Sequence, residues 1–115
     1  MRLVYDSEGD VLNVIFDERL QDTDQIAYRL RDGLMLYVTV DSTKPVQLTV
    51  VNYRRLARQP QFHFNGWEKL KATDRKKLLP VLASSALSTF LKIDPQTGFG
   101  HLISPPVLDV FSLAA

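Results

Sequence analysis

The chain contains no cysteine. Disulfides, thiolate metal sites and thiol nucleophiles are therefore excluded, and a reducing compartment is the simplest setting. No apolar run approaches the roughly 20 residues that a membrane span needs. The longest candidate, Leu78 to Leu91, is broken by Pro80 and by four Ser/Thr residues. A secretory signal would pair a basic start with an apolar stretch, whereas Met1 to Phe16 carries Asp6, Glu8 and Asp10. The expectation is a cytoplasmic protein without a membrane partner. Phosphate-cradling glycine loops, hydrolase elbows and metalloprotease helices are also missing, and Gly98-Phe99-Gly100 is too short to signal a nucleotide site. No cofactor is expected.

What is present describes an ordinary globular chain. At 115 residues, 45% hydrophobic and 23% charged, it is long enough to close one core without staples, so residues 1–115 read as a single domain. The formal charge of +1 hides a division. Residues 1–53 hold five Lys/Arg against nine Asp/Glu, and residues 54–115 hold nine against four. Such a split marks a polyanion-binding face, two patches that attract across a dimer, or simply two solvated faces.

Alternation of apolar residues places an antiparallel sheet in residues 1–53. Across a four-residue turn, Ser7-Glu8-Gly9-Asp10, Asp6 opposes Val11. Tyr5 then faces Leu12, Leu3 faces Val14 and Met1 faces Phe16, and the other side is mixed, with Arg2, Val4, Asp6, Val11, Asn13 and Ile15. After the polar stretch Asp17 to Asp24, a second hairpin turns at Arg31-Asp32-Gly33. A bulged loop with Gly33 left-handed keeps Ile26, Tyr28 and Leu30 on the same face as Leu34, Leu36 and Val38. Val46, Leu48 and Val50 then oppose Val40, Val38 and Leu36, giving five strands in meander order.

Residues 54–115 read as a basic helical and tail part. Arg54-Arg55-Leu56-Ala57-Arg58 leaves the sheet, Pro60 breaks the chain, and Phe62-His63-Phe64 is a short extended piece. Asn65 and Glu68 have capping-box spacing, which predicts a short helix from Gly66 to Lys71. Thr73 or Asp74 caps a second helix to about Ser88, with Leu79, Leu82, Ala83 and Ala86 inward and Pro80 forcing a kink or a restart. Asp94-Pro95-Gln96-Thr97-Gly98 is a turn between Phe90 to Ile93 and Gly100 to Ile103, either a hairpin or a helix end plus loop. Val107 to Leu113 is a short apolar segment in need of a docking surface. The fold class is α+β, a five-stranded sheet packed by one or two helices with a C-terminal hairpin or extended tail.

Three groups of residues invite a chemical reading. Asp6, Glu8 and Asp10 alternate as in a calcium loop, but glycine stands at the fourth position rather than the sixth and no helices flank them, so no metal site is expected. The structural alternative has Asp6 capping backbone N–H groups, Gly9 at positive φ and the charges in water. His63 and His101 would serve as an acid and base in a small hydrolase or nuclease only if the fold brought them to one phosphate. The stretch from Tyr53 to Lys77 is the most suggestive. Its cations Arg54, Arg55, Arg58, Lys69, Lys71, Arg75, Lys76 and Lys77, against Glu68 and Asp74, interleave with aromatics including Trp67, a mixture that suits single-stranded nucleic acid. Packed aromatics beside a solvated helix face would give the same pattern.

At Tyr5-Asp6-Ser7-Glu8-Gly9-Asp10-Val11-Leu12 the chain resembles a family of small uncharacterised bacterial proteins, a domain of unknown function that opens with a Y-D-x-E-x-D-x-L hairpin. Asp32-Gly33-Leu34, Asp41 and Val46 to Val51 are similar to its later strands, and the likeness covers about residues 3–53. The chain departs from that pattern at Asn13, where the family carries an aromatic, at Lys44-Pro45, and near Thr49, where it carries an acid. The resemblance implies a small sheet domain without established activity, in a family whose members neighbour toxin-like proteins, hence an antitoxin-like role. Together these readings predict a non-enzymatic binding module, a homodimer or the partner of a small protein.

Overall fold

The computed structural model describes residues 1–103. Ser104-Pro105-Pro106 and the apolar segment Val107 to Leu113 lie outside the described residues. The first half forms β1 (Arg2–Asp6), β2 (Val11–Ile15), β3 (Gln25–Arg31), β4 (Leu34–Thr39) and β5 (Pro45–Val51), with a 3-10 turn at Glu18–Leu20. The strands make one antiparallel sheet, as the alternation predicts. Its opening hairpin has the expected register, from Asp6 opposite Val11 to Leu3 opposite Val14.

The strand order is β1-β2-β5-β4-β3, not a full meander. Residues 17–24 are too many for a tight hairpin, whose loops run to about five residues. They carry the chain to the far edge instead, and β5 returns to fill the free side of β2, as in a Greek key. The register of β4 and β5 also differs by two residues from the expected one, with Leu48 opposite Leu36 and Val50 opposite Leu34. A slip of two preserves the face, so the apolar row survives while Val40 falls beyond the strand and is 48% exposed. At the Asp32-Gly33 turn, Gly33 is left-handed (φ +78°). The ladder shifts between Arg29 and Arg31, so that Arg31 pairs with Leu34. The bulge keeps Tyr28, Leu30, Leu34 and Leu36 together in the core.

The second half builds a lid on one face of that sheet. It comprises α1 (Tyr53–Arg58), β6 (Phe62–His63), α2 (Asn65–Lys69), α3 (Ala72–Ala83), α4 (Ser85–Ser88), β7 (Leu91–Ile93) and β8 (Phe99–Leu102). The expected C-terminal hairpin is β7–β8, and β6 adds to it in a three-stranded sheet ordered β6-β8-β7. The basic exit from the sheet is the helix α1. Neither predicted cap forms, for Phe64 and Lys71 occupy the N-cap positions of α2 and α3 without a side-chain bond. Pro80 stays within α3, on its exposed side, where its ring meets no packed neighbour element. The break comes at Ser84 instead, whose hydroxyl donates to the Val81 carbonyl (2.6 Å) and accepts from Leu87 N–H (3.4 Å). The inward residues of α3 are consequently Leu78 and Val81, with Leu82 partly buried, while Leu79 is 42% exposed.

One core joins the two halves. Leu12, Val14, Leu36 and Leu48 from the sheet meet Leu56, Phe62, Phe64, Trp67, Leu78, Leu87 and Phe90 from the lid. A close backbone approach between the halves is at Gly66 in α2, where an added Cβ would collide with the Arg29 carbonyl oxygen. Gly66→Ala should therefore separate α2 from β3 and cost about 3 kcal/mol in urea unfolding. Gly9→Ala, whose Cβ crowds the exposed Asp6 carboxylate and otherwise makes an ordinary contact with the Val11 side chain, should change stability by less than about 0.5 kcal/mol.

Candidate functional site

The acidic turn is a structural clasp. The Asp6 carboxylate accepts from Glu8 N–H (3.1 Å), as expected of a capping aspartate. The left-handed residue is Asp10 (φ +53°) rather than Gly9, and this orientation turns the Asp10 carboxylate toward the lid. There it accepts from the Tyr5 hydroxyl (2.7 Å) and from Arg54 N–H (3.1 Å), while its carbonyl accepts from Tyr53 N–H (3.0 Å). Asp10 thus anchors the start of α1 to the first hairpin, and its charge is not left in water. Arg54 lies over the Tyr5 ring, 5.6 Å from its centre.

Of the stretch proposed from sequence to bind nucleic acid, the aromatics face inward. Trp67 is 1% exposed and its indole N–H donates to the Pro95 carbonyl (3.1 Å). It offers no face to a base, and Tyr53, Phe62 and Phe64 are core as well. The cations do not form one patch around these rings. Arg54, Arg55 and Arg58 belong to α1, where Arg55 lines a small cleft with Arg31 and Asp32. Lys69 lies across the same hairpin tip, in a depression with Arg29 and Asp32. Arg75 and Lys76 flank Pro95 and Gln96 beneath α3. Lys77 is exposed on the same helix.

Two open faces remain. The first is the side of the five-stranded sheet away from the lid. Its three central strands present Val11 and Asn13, then Gln47, Thr49 and Val51, then Met35 and Tyr37, none of them charged, while Ile15 and Thr39 in the same rows are buried. At its centre Asn13 Oδ1 accepts from Thr49 Oγ1 (2.7 Å) and from Gln47 Nε2 (3.0 Å). Charges on this face are confined to the outer strands, Arg2 and Asp6 on β1 and Arg29 on β3; the bulge turns Arg31 to the lid side, where its guanidinium lies over the Phe62 ring, 4.7 Å from its centre.

The second is the outer side of the small sheet. His63 is opposite Phe99 and His101 is opposite Lys92, so all four side chains share a face. The fold thereby brings the two histidines to one surface, which their sequence spacing gave no sign of. The His63 ring stacks on Phe99, with centres 4.7 Å apart and planes 22° off parallel. Its Nε2 stands 2.8 Å from Glu68 Oε1, an ion-pair contact when the ring is protonated rather than an aligned hydrogen bond. Gly98, left-handed at φ +78°, leaves room for both groups. Phe99, Lys92 and Glu68 escaped the sequence reading because the β6–β8 pairing joins residues more than 30 apart. Only the hairpin turn at Asp94 to Gly98 announced half of it.

The chain matches no protein-family model, no curated protein and no solved structure. Among the described residues, no helix is long and apolar enough to cross a membrane.

Two measurements test the clasp. Asp10→Ala strips acceptors from Tyr5 and from the first turn of α1, and should cost about 1–3 kcal/mol in urea unfolding. Burial, with Asp10 beside it, raises the Tyr5 hydroxyl above its ordinary 10.0, and burial beside Asp74 raises Tyr28 likewise. Both folded-state values lie above the unfolded one, so this stabilisation is complete below pH 10 and is lost as pH rises through the folded values. Alkaline titration of tyrosinate absorbance should show a late component that shrinks in Tyr5→Phe and in Tyr28→Phe. Titration of both phenols at the ordinary value would contradict the assignment.

Proposed function

We propose that the chain is a small non-enzymatic binding module of the bacterial cytoplasm whose open five-stranded face packs on a second copy of itself. The observation that carries this reading is the charge-free centre of that face, seven exposed or half-buried residues on three adjacent strands with Asn13, Gln47 and Thr49 bonded among themselves. A patch whose polar groups already satisfy one another loses little when water leaves, and charge depletion at the centre with a charged rim is the usual make-up of an interface.

The rim favours a second copy over an unrelated partner. Asp6 lies at one edge of that face, where Arg2 is already paired with Glu18 (3.0 Å), and Arg29 lies at the other. A two-fold axis along the strands sets β1 of one copy over β3 of the next, so opposite charges meet at both rims. Aligned sheet-on-sheet packing is a common way to cover such a face. Asn13 and Thr49 are direct cross-strand neighbours at the centre of the patch, and the hairpin family that the chain resembles carries an aromatic at the first and an acid near the second. A shared change at one contact point supports a surface adapted to its own partner, whether self or an antitoxin-like counterpart.

Sedimentation velocity across a hundred-fold concentration range should show a reversible dimer. Thr49→Lys and Met35→Lys, each placing a charge in the uncharged centre, should shift it to monomer with unchanged far-UV circular dichroism. A monomer at all concentrations, or a dimer indifferent to both substitutions, would overturn the reading.

A further inference from the structure

We propose that the outer face of the small sheet, on the opposite part of the molecule from the self-packing surface, binds single-stranded nucleic acid through Phe99, His63, His101 and Lys92. Phe99 is 42% exposed although it sits in mid-sheet, and it is backed by the stacked His63 ring. The pair forms a flat, open π surface on which a base can lie. Stacking of this kind tolerates any base, since every base has a π face.

Cations line the path on either side of that platform. Lys92 and His101 share with Phe99, Asp94 and Pro95 a depression of about 450 Å³. Beyond Pro95 a second depression carries Arg75 and Lys76. A third, apolar one of about 520 Å³, with Leu79, Ile93 and Pro95 in its wall, joins the other two. A strand laid across Pro95 thus meets phosphate-binding groups at both ends and apolar or aromatic surface between them. The nearby acids do not face it unengaged. Asp94 accepts from Gln96 N–H (2.9 Å) within the turn, and Glu68 is held against His63.

This locates nucleic-acid binding away from α1, and it replaces buried Trp67 with exposed Phe99 as the stacking group. Of the cations singled out from sequence, Arg75 and Lys76 take part, whereas Arg54, Arg55 and Arg58 line none of these depressions. The arrangement favours a single strand over a duplex, whose bases are already stacked on one another.

The test is fluorescence anisotropy with labelled 12-nucleotide oligouridine RNA, oligothymidine DNA and a 12-base-pair duplex, at 50 and 200 mM salt. The expected result is binding to one or both single strands that weakens with salt, with a log–log slope of about −2 for three phosphate contacts, and much weaker binding to the duplex. Phe99→Ala should weaken single-strand binding roughly 5- to 100-fold. Lys92→Glu, at an exposed position that carries no core contact, should weaken it and lower the slope, and it guards against a folding defect in the Phe99 variant. Arg54→Ala with Arg55→Ala should leave the affinity unchanged. Absence of binding overturns the proposal. So do equal affinity for the duplex, indifference to both Phe99→Ala and Lys92→Glu, or loss on the α1 double substitution alone.

Discussion

The seating of β5 between β2 and β4 is the constraint on which the rest of the structure depends. It places Val14, Leu48 and Leu36 in one row and Leu12, Val50 and Leu34 in the next, all of them at most 2% exposed. Burial of six such side chains contributes on the order of 10 kcal/mol of transfer free energy, measured against an extended chain. It also fixes parity. Once Leu48 points to the core, Gln47 and Thr49 must point away, and the uncharged outer face follows from the same register that builds the inner one.

The lid is attached to this sheet at a few defined points. Asp10 ties the first hairpin to α1, Gly66 lets α2 lie on the β3 backbone, and Trp67 spans from the core to the Pro95 carbonyl. The last contact matters for the surface as well as the core. By fixing the turn that begins at Asp94, it sets where β8 runs and therefore where Phe99 and His101 emerge. A buried tryptophan and an exposed phenylalanine thus exchange the roles that composition alone would assign to them.

Local pattern was a good guide wherever the partner lay close in sequence. The alternation from Met1 to Phe16 and the glycine at position 33 specify their hairpins because a turn of two to four residues leaves few registers. The pattern failed where the deciding contact is remote. Nothing in Val11 to Ile15 says that β5 rather than β3 will be its neighbour, and nothing in Phe62-His63 names Phe99 and Gly100 as partners. The capping spacing of Asn65 and Glu68 misled for a related reason, since Glu68 is drawn to His63 by tertiary packing. Residues 53–77 show the ambiguity most clearly. Interleaved aromatics and cations look the same in sequence whether the rings face a ligand or a core, and here Leu56, Phe64 and Trp67 needed the core.

Two faces with different chemistry emerge, one uncharged and suited to a second copy, the other aromatic and basic and suited to a flexible strand. The central claim is that the first is covered in the working protein. Hydroxyl-radical footprinting reads this directly, because the two methionines of the chain fall on either side of the question. Met35 belongs to the uncharged face, whereas Met1 is 73% exposed outside the ladder. Oxidation of Met35 should slow as protein concentration rises while that of Met1 stays constant. Met35 oxidation that is independent of concentration up to the high micromolar range would contradict the account.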